Sequence, residues 1–267
     1  MKIAVLGANG YLGKFLVNSL LADNYNVLPV TRETLILTNY SEVNRWLEVN
    51  KPDVVINCAT AVSITDVRDN KINYDDLRNN INIFLNFYNN DNLFDRFINI
   101  GSGAEFDKSI DITNARESDI LTSQPIESYG YSKNLISRLV LEKDKFCTLR
   151  LFGCFGSTES SIRLFPQLKT KSLINIEDRQ FDYFSDRDFY NVIRHYLNNK
   201  IIYKDINCVY KEKYRLREIV EIFKHHHNLP AVITVTSTGK NYTGNGDRLS
   251  YLNLKLNGLE KSIKEYE

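Results

Sequence analysis

The stretch Gly7-Ala8-Asn9-Gly10-Tyr11-Leu12-Gly13 constrains this chain more than any other, because it joins an apolar run to an amphipathic one. Ile3-Ala4-Val5-Leu6 before it reads as a buried strand. Tyr11 to Leu21 after it carries Leu12, Phe15, Leu16 and Leu20 at helical spacing. The glycines permit a tight turn and a close approach of the backbone to a pyrophosphate. That anion lies on the helix N-terminus, where free N–H groups and the dipole favour it. A glycine pattern alone is equally a structural turn, but the strand–turn–helix context favours dinucleotide binding. Gly7, Asn9, Gly10, Tyr11, Leu12 and Gly13 are the expected contacts.

The same alternation continues. Val27 to Val30 reads as a strand, Ser41 caps a helix running to Val49, and Asp53 to Asn57 is a third strand. Tyr74 to Tyr88 is helical, Arg96 to Ile100 a strand, Ser128 to about Lys143 a helix, and Cys147 to Leu151 a strand. Strands alternating with helices imply an α/β fold, a Rossmann doubly wound parallel sheet. Pro29 conflicts with a second strand that is expected to be central, since proline cannot donate to a ladder. Beyond Gly156 the pattern loosens. Residues 157–180 read as loop and short helix, Phe181 to Phe184 and Ile206 to Tyr210 as strands, Phe189 to Tyr196, Leu216 to Phe223 and Gly258 to Tyr266 as helices. Asp186 and Asp188 are expected to cap or brace a helix. The expected division is a dinucleotide-binding domain at 1–156 and a small C-terminal substrate lobe at 157–267, with segments returning to the sheet.

Bulk properties narrow the partners. A net charge of +1 over 267 residues provides no field for nucleic acid or an anionic membrane, so any anion site is local. No apolar run reaches the roughly 18–20 residues of a membrane span, and the first residues lack the basic and small-residue features of a secretory signal. A cytoplasmic protein is expected, with Cys58, Cys147, Cys154 and Cys208 as reduced thiols. His225-His226-His227 do not suggest a metal site, because consecutive helical residues point different ways.

Two further features bear on chemistry. Thr31-Arg32 stands where the second strand ends and the adenosine ribose is read. A carboxylate there suits the 2′-hydroxyl of NAD, whereas a guanidinium and a hydroxyl suit the 2′-phosphate of NADP. The expected cofactor is NADP, with NAD less favoured. Tyr129 and Lys133 lie four apart, on one helix face, where the ammonium can lower the phenol's pKa and hold the nicotinamide ribose. Ser102 follows the fourth strand, where its hydroxyl can polarise the same carbonyl.

These residues together resemble the extended short-chain dehydrogenase/reductase family, which holds sugar-nucleotide epimerases, dehydratases and ketoreductases. The likeness runs through Gly7-x-x-Gly10-x-x-Gly13, Asn57-Cys58-Ala59-Thr60, Asn80, Ser102 to Phe106, Tyr129-x-x-x-Lys133, Arg150-Leu151-Phe152 and Arg179 to Tyr183. Lys51 to Asn57 is similar to the dTDP-4-keto-rhamnose reductase branch. The resemblance implies Ser102, Tyr129 and Lys133 as catalytic residues, with Tyr129 as acid/base. It implies Ala59, Thr60, Asn80 and Phe152 as further cofactor contacts, and Arg179 as the holder of a substrate phosphate. Phe152 is otherwise plain core and Arg179 a surface charge. The family's dehydratases carry Asp-Glu where this chain has Gly103-Ala104, and its frequent substrate-touching Asn is replaced by Gly153. The resemblance further implies a homodimer through the helices at about 74–90 and 128–143, with Phe84, Phe87, Leu135 and Leu139 on the bundle face.

The leading expectation is NADPH-dependent reduction of a keto group, at C4, of a 6-deoxy sugar nucleotide, in surface-polysaccharide or deoxysugar biosynthesis. An epimerase that retains its cofactor, and a non-catalytic NADP-binding regulatory protein, are the alternatives.

Overall fold

The computed structural model describes residues 1–62 and 72–266. Along the first half run β1 (Lys2–Leu6), α1 (Tyr11–Ala22), β2 (Asn26–Val30), α2 (Tyr40–Asn50), β3 (Val54–Asn57), α3 (Tyr74–Tyr88), β4 (Arg96–Ser102), β5 (Ile112–Ala115), α4 (Ser128–Val140) and β6 (Phe146–Leu151). The second half adds β7 (Gly153–Phe155), α5 (Leu164–Thr170), β8 (Leu173–Asp178), β9 (Tyr183–Ser185), α6 (Asp186–Asn198), β10 (Asp205–Cys208), α7 (Leu216–His227), β11 (Val232–Thr238), β12 (Tyr242–Gly244), α8 (Asp247–Tyr251) and α9 (Leu259–Lys264).

Six of these strands form one parallel sheet in the order β10-β6-β4-β3-β1-β2. Alternate strand residues feed opposite faces, and helices bury both. Ile3, Val5, Ile56 and Ile98 pack with Leu16, Leu20, Phe189 and Ile193 on one side; Ala4, Leu6, Val55 and Phe97 pack with Leu47, Phe84, Phe87 and Ile136 on the other. The chain leaves β1 toward β2, then crosses back to β3. The crevice at that reversal, outside the carboxyl ends of the strands, is where such sheets take ligands.

The α/β expectation therefore holds, with local corrections. The second strand is an edge strand, not a central one, so the proline lies where a missing donor is tolerated. Asn39, not Ser41, caps α2 and accepts from Glu42 N–H at 3.2 Å. Ser185 caps α6 through Asp188 N–H. Asp188 instead accepts from Asn257 N–H, Gly258 N–H and the Tyr210 hydroxyl, which ties α9's start to the sheet. Residues 157–180 contain β8, which pairs with β11; β5, β11 and β12 carried no recognised signal. Phe84 and Phe87 have no exposed surface, being spent on the core, and cannot supply a subunit interface.

One buried charge organises the carboxyl end of the sheet. Arg150, on β6, is wholly buried. Its Nε donates to Glu105 Oε2 at 2.6 Å, Nη1 donates to Asn207 Oδ1 at 2.9 Å, and Nη2 lies 2.8 Å from Asp205 Oδ1. Arg150→Met keeps the volume but strands two buried carboxylates. It should cost about 3–5 kcal/mol, the penalty for removing one partner of a buried ion pair, read as a lower midpoint of urea unfolding at unchanged slope. A loss below about 1 kcal/mol would mean that other groups hold the carboxylates.

Candidate active site

The glycine turn is shaped by contact rather than by flexibility. Gly7 has φ +73°, and a Cβ there would lie 2.9 Å from the Ala59 backbone. A Cβ on Gly13 would lie 2.2 Å from Gly7 O, so α1 can sit this close to β1 only without a side chain. The N-terminus of α1 has no side-chain cap and no acidic residue in its first turn. Its free N–H groups are available to an anion.

A cleft of about 840 Å³ opens there. Gly7, Asn9 and Gly10 form its floor, Thr31 and Arg32 one lip, and Cys58 to Val62 the opposite wall. Its size and lining fit an adenine dinucleotide: glycine backbone for the pyrophosphate, Ile36 and Leu37 for an apolar base, Arg32 for a ribose phosphate. Arg32 is exposed and makes no ion pair among the described residues. The Thr31 hydroxyl accepts from Glu33 N–H at 3.3 Å and keeps its own proton to donate.

Other expected contacts sit differently. Asn80 is buried and does not line the cleft. Its Oδ1 accepts from Ala61 N–H and the Thr60 hydroxyl, and its Nδ2 donates to Ala61 O and Ser132 Oγ, so it fastens the 60–61 loop to α4. The Tyr11 side chain leaves the cleft, its hydroxyl donating to Asp186 Oδ2 at 3.0 Å. Leu12 packs against the core.

Ser102, Tyr129 and Lys133 come together at the end of β4. Ser102 begins a single 3-10 turn; its Oγ accepts from Ala104 N–H at 3.2 Å and its N–H donates to Glu105 Oε1 at 2.7 Å. The helix α4 is started by Glu127, whose carboxylate accepts from Tyr129 N–H at 2.8 Å and Gly130 N–H at 2.9 Å. A Cβ on Gly130 would lie 2.2 Å from Ala104 O, so this glycine lets α4 press against the Ser102 turn. Lys133 is buried and donates to Ile100 O at 2.8 Å, with Nζ 6.0 Å from the Tyr129 ring centre.

Burial pushes the Tyr129 phenol above its ordinary value; the Ser102 hydroxyl opposes this, Glu105 and Glu127 add to it, and Arg163 opposes it. Lys133, the cation the sequence pointed to, stands 6.0 Å from the Tyr129 ring centre, and the Arg163 guanidinium at the start of α5 lowers the phenol's pKa. Arg163 also donates to Glu159 Oε2 at 2.9 Å and to Cys154 O at 2.7 Å. Burial pushes Lys133 down and Cys58 up to about 12.

Aromatic rings close the site from below. Phe152 is buried, with its ring 5.1 Å from Tyr242 and 5.8 Å from Phe106. A Cβ on Gly103 would lie 2.5 Å from Phe152 and 2.7 Å from the Tyr242 oxygen, and Ala104 is buried. No acidic pair can stand at these positions. A Cβ on Gly153 would likewise lie 2.6 Å from Phe181. Arg179 lies over the Phe181 ring at 5.5 Å, one-third exposed, with Nε lacking a partner. The sequence reading missed Tyr242, Arg163, Glu105 and Glu127. Only Glu127, two residues before Tyr129, had a usable signal, as a carboxylate at a helix start.

Among curated proteins, none matches this chain in sequence. Solved structures match its fold. The GDP-mannoheptose C4 reductase from Campylobacter jejuni with NADP bound is 20% identical, with a TM-score of 0.82, covering 98% of this chain and 96% of its own. A dTDP-4-dehydrorhamnose reductase from Clostridium acetobutylicum is 21% identical, with a TM-score of 0.83, covering 100% and 98%. A GDP-L-fucose synthetase from Naegleria fowleri bound to NADP is 16% identical, with a TM-score of 0.79, covering 99% and 90%. The model of the NAD dependent epimerase/dehydratase family matches residues 3–189, a span that holds the glycine turn, Ser102, Tyr129, Lys133 and Arg179. More than half of the chain is thus accounted for, and the protein belongs to the NAD dependent epimerase/dehydratase family.

Proposed function

We propose that this protein is an NADPH-dependent ketoreductase acting at C4 of a 6-deoxy sugar nucleotide. The observation that carries the reading is Ser102, Tyr129 and Lys133 at the end of β4, beside a dinucleotide-sized cleft with Arg32 on its lip. Fold neighbours support it: two are named as sugar-nucleotide reductases, and the GDP-mannoheptose C4 reductase and the GDP-L-fucose synthetase hold NADP. Gly103 and Ala104 leave no second acid/base, which suits a single reduction.

The Gly7–Gly13 turn and Arg32 would hold NADPH along the cleft, and the bound cofactor would supply a hydride to a keto carbon. Ser102 hydrogen-bonds the keto oxygen. Tyr129, held protonated by burial, gives that oxygen its proton, and the product is a secondary alcohol. Lys133 would hold the nicotinamide ribose, Phe152 would lie near the nicotinamide, and Ala59 and Thr60 would line the cofactor's path. Arg179, one-third exposed and 4.0 Å from Glu177, takes a substrate phosphate with the exposed part of its guanidinium. We further propose a homodimer through the outer faces of α3 and α4, where Leu77, Ile81 and Leu135 remain partly exposed. The cytoplasm suits both NADPH and the four free cysteines.

Three measurements test this. Arg32→Ala should weaken NADPH binding by about 1.5–3 kcal/mol and leave NADH nearly unchanged, by fluorescence titration; equal losses would remove the 2′-phosphate assignment. With a panel of 4-keto-6-deoxy sugar nucleotides on dTDP, GDP, UDP and CDP, one NADPH should disappear per product. Tyr129→Phe should slow turnover on the order of 10²–10⁴-fold with NADPH affinity kept. Epimerisation of a saturated sugar nucleotide without net NADPH loss would replace this reading with the epimerase one. Light scattering should give twice the 31.0 kDa chain mass; a single-chain mass at micromolar protein would remove the dimer.

A further inference from the structure

Two adjacent asparagines on α3 point to different places. Asn80 is buried, and its side-chain amide is spent on the 60–61 loop and Ser132. Asn79 is half-buried and lines the dinucleotide-sized cleft, and its side-chain amide makes no hydrogen bond among the described residues. The family resemblance implied Asn80 as a cofactor contact. The residue before it is the one that faces the cleft.

The face of α3 that carries Asn79 is fixed. Asp76, Asn79 and Ile83 recur at helical spacing and all line the cleft. Asn86 continues the stripe, and its Nδ2 donates to Leu37 O at 2.8 Å. Beyond it, Asn90 donates to Asn86 O at 2.7 Å and accepts from Asn44 Nδ2, on α2, at 2.8 Å. At the other end, Asn73 Oδ1 caps the helix by accepting from the N–H groups of Asp75 and Asp76. The helix is thus held against the 35–38 segment, and Asn79 is held at that end of the cleft.

That end suits a flat base with polar edges. Ile36 leaves 54% of its surface exposed beside the cleft and offers an apolar support for a ring face. The edges of the base need partners, because a polar atom taken out of water without one is costly. Each hydrogen-bonding edge of adenine sets an amine beside a ring nitrogen, a donor next to an acceptor. A carboxamide carries the complementary pair, one oxygen acceptor and an NH2 donor. The neighbours do not. Asp76 offers a carboxylate, which only accepts, and the Thr60 hydroxyl is spent on Asn80.

We propose that Asn79 recognises the adenine of the dinucleotide: its Oδ1 accepts from the exocyclic amine and its Nδ2 donates to the ring nitrogen beside it. The inference rests on the dinucleotide reading of the cleft and is independent of what the enzyme reduces. Two residues then divide the recognition. Arg32 tells a 2′-phosphate from a hydroxyl, and Asn79 tells adenine from other bases.

Asn79→Ala should weaken NADPH and NADH alike, by about fivefold to thirtyfold, the worth of two neutral hydrogen bonds. Arg32→Ala, by contrast, discriminates between them. The same loss should appear with 2′-phospho-ADP-ribose, which has no nicotinamide. Melting temperature should not fall, since no bond within the protein is removed. The etheno analogue of NADPH, in which the adenine amine is bridged to the ring nitrogen beside it, should bind the wild-type protein more weakly than NADPH by a similar factor. The two should bind Asn79→Ala equally. A variant that keeps wild-type affinity for 2′-phospho-ADP-ribose, or that still prefers NADPH to its etheno analogue, would overturn the proposal. The unaltered chain gives a second reading. In protein with isotopically labelled asparagine, titration with 2′-phospho-ADP-ribose should move the Asn79 side-chain amide resonance, and a resonance that stays in place while the ligand binds would sink the idea. A wild-type protein that binds neither NADPH nor 2′-phospho-ADP-ribose would remove the dinucleotide reading itself, and this inference with it.

Discussion

The contact on which the site depends is the one between Arg150 and Glu105, which is buried and far from solvent. Charge inside a protein is costly unless paired and hydrogen-bonded. Here both Glu105 oxygens are used: one faces Arg150, and the other takes the Ser102 N–H. The Ser102 turn is therefore held by an ion pair rather than by loop packing. The same guanidinium reaches Asp205 and Asn207 on or beside β10, so the last strand of the sheet and the turn after β4 are tied to one cation. Asp205 shows the cost, since burial raises it to about 6 in spite of Arg150. What the arrangement yields is a serine whose backbone has one possible position.

The second constraint is steric. Two positions where this chain departs from its family's patterns, Gly103 and Gly153, are positions where rings arrive from elsewhere. Gly103 faces Phe152 and Tyr242, and Gly153 faces Phe181. Each glycine is small because an aromatic side chain stands in the space. The stack from Arg179 through Phe181 and Tyr242 to Phe152 links the candidate phosphate-holding arginine to the Ser102 turn by direct contact. A second group of titratable residues lies beside it. The buried Glu159 carboxyl is pushed up to about 7 by desolvation and accepts from the Tyr266 hydroxyl, while Asp186, pushed up to about 6, accepts from Tyr11. These bonds tie the C-terminal segment to the loop before α5, and the start of α6 to the first helix.

Local signals made much of this readable. The glycine turn, the apolar strand runs and the Tyr129–Lys133 spacing each depend on residues within a few positions of one another, and such patterns survive without a structure. They determined the α/β class, the dinucleotide cleft and two members of the site. Where the reading slipped, distant contacts decided the matter. Pro29 was judged against a central strand because nothing local reveals that β2 is an edge. Phe84 and Phe87 repeat at helical spacing, and spacing alone does not say whether the core or a partner lies opposite.

The sequence by itself therefore determined the fold class, the turn that receives a pyrophosphate and the residue types of a hydride-transfer site. The tertiary structure alone decided which carboxylate holds Ser102 and which of 16 tyrosines rests over Gly103. The physical reason is range. Backbone conformation and amphipathic period are set by neighbours in the chain, whereas burial, ion pairing and ring packing are set by neighbours in space. Tyr242 reaches Gly103 only after β12 has paired with β5 and the segment around Asp182 has closed over it.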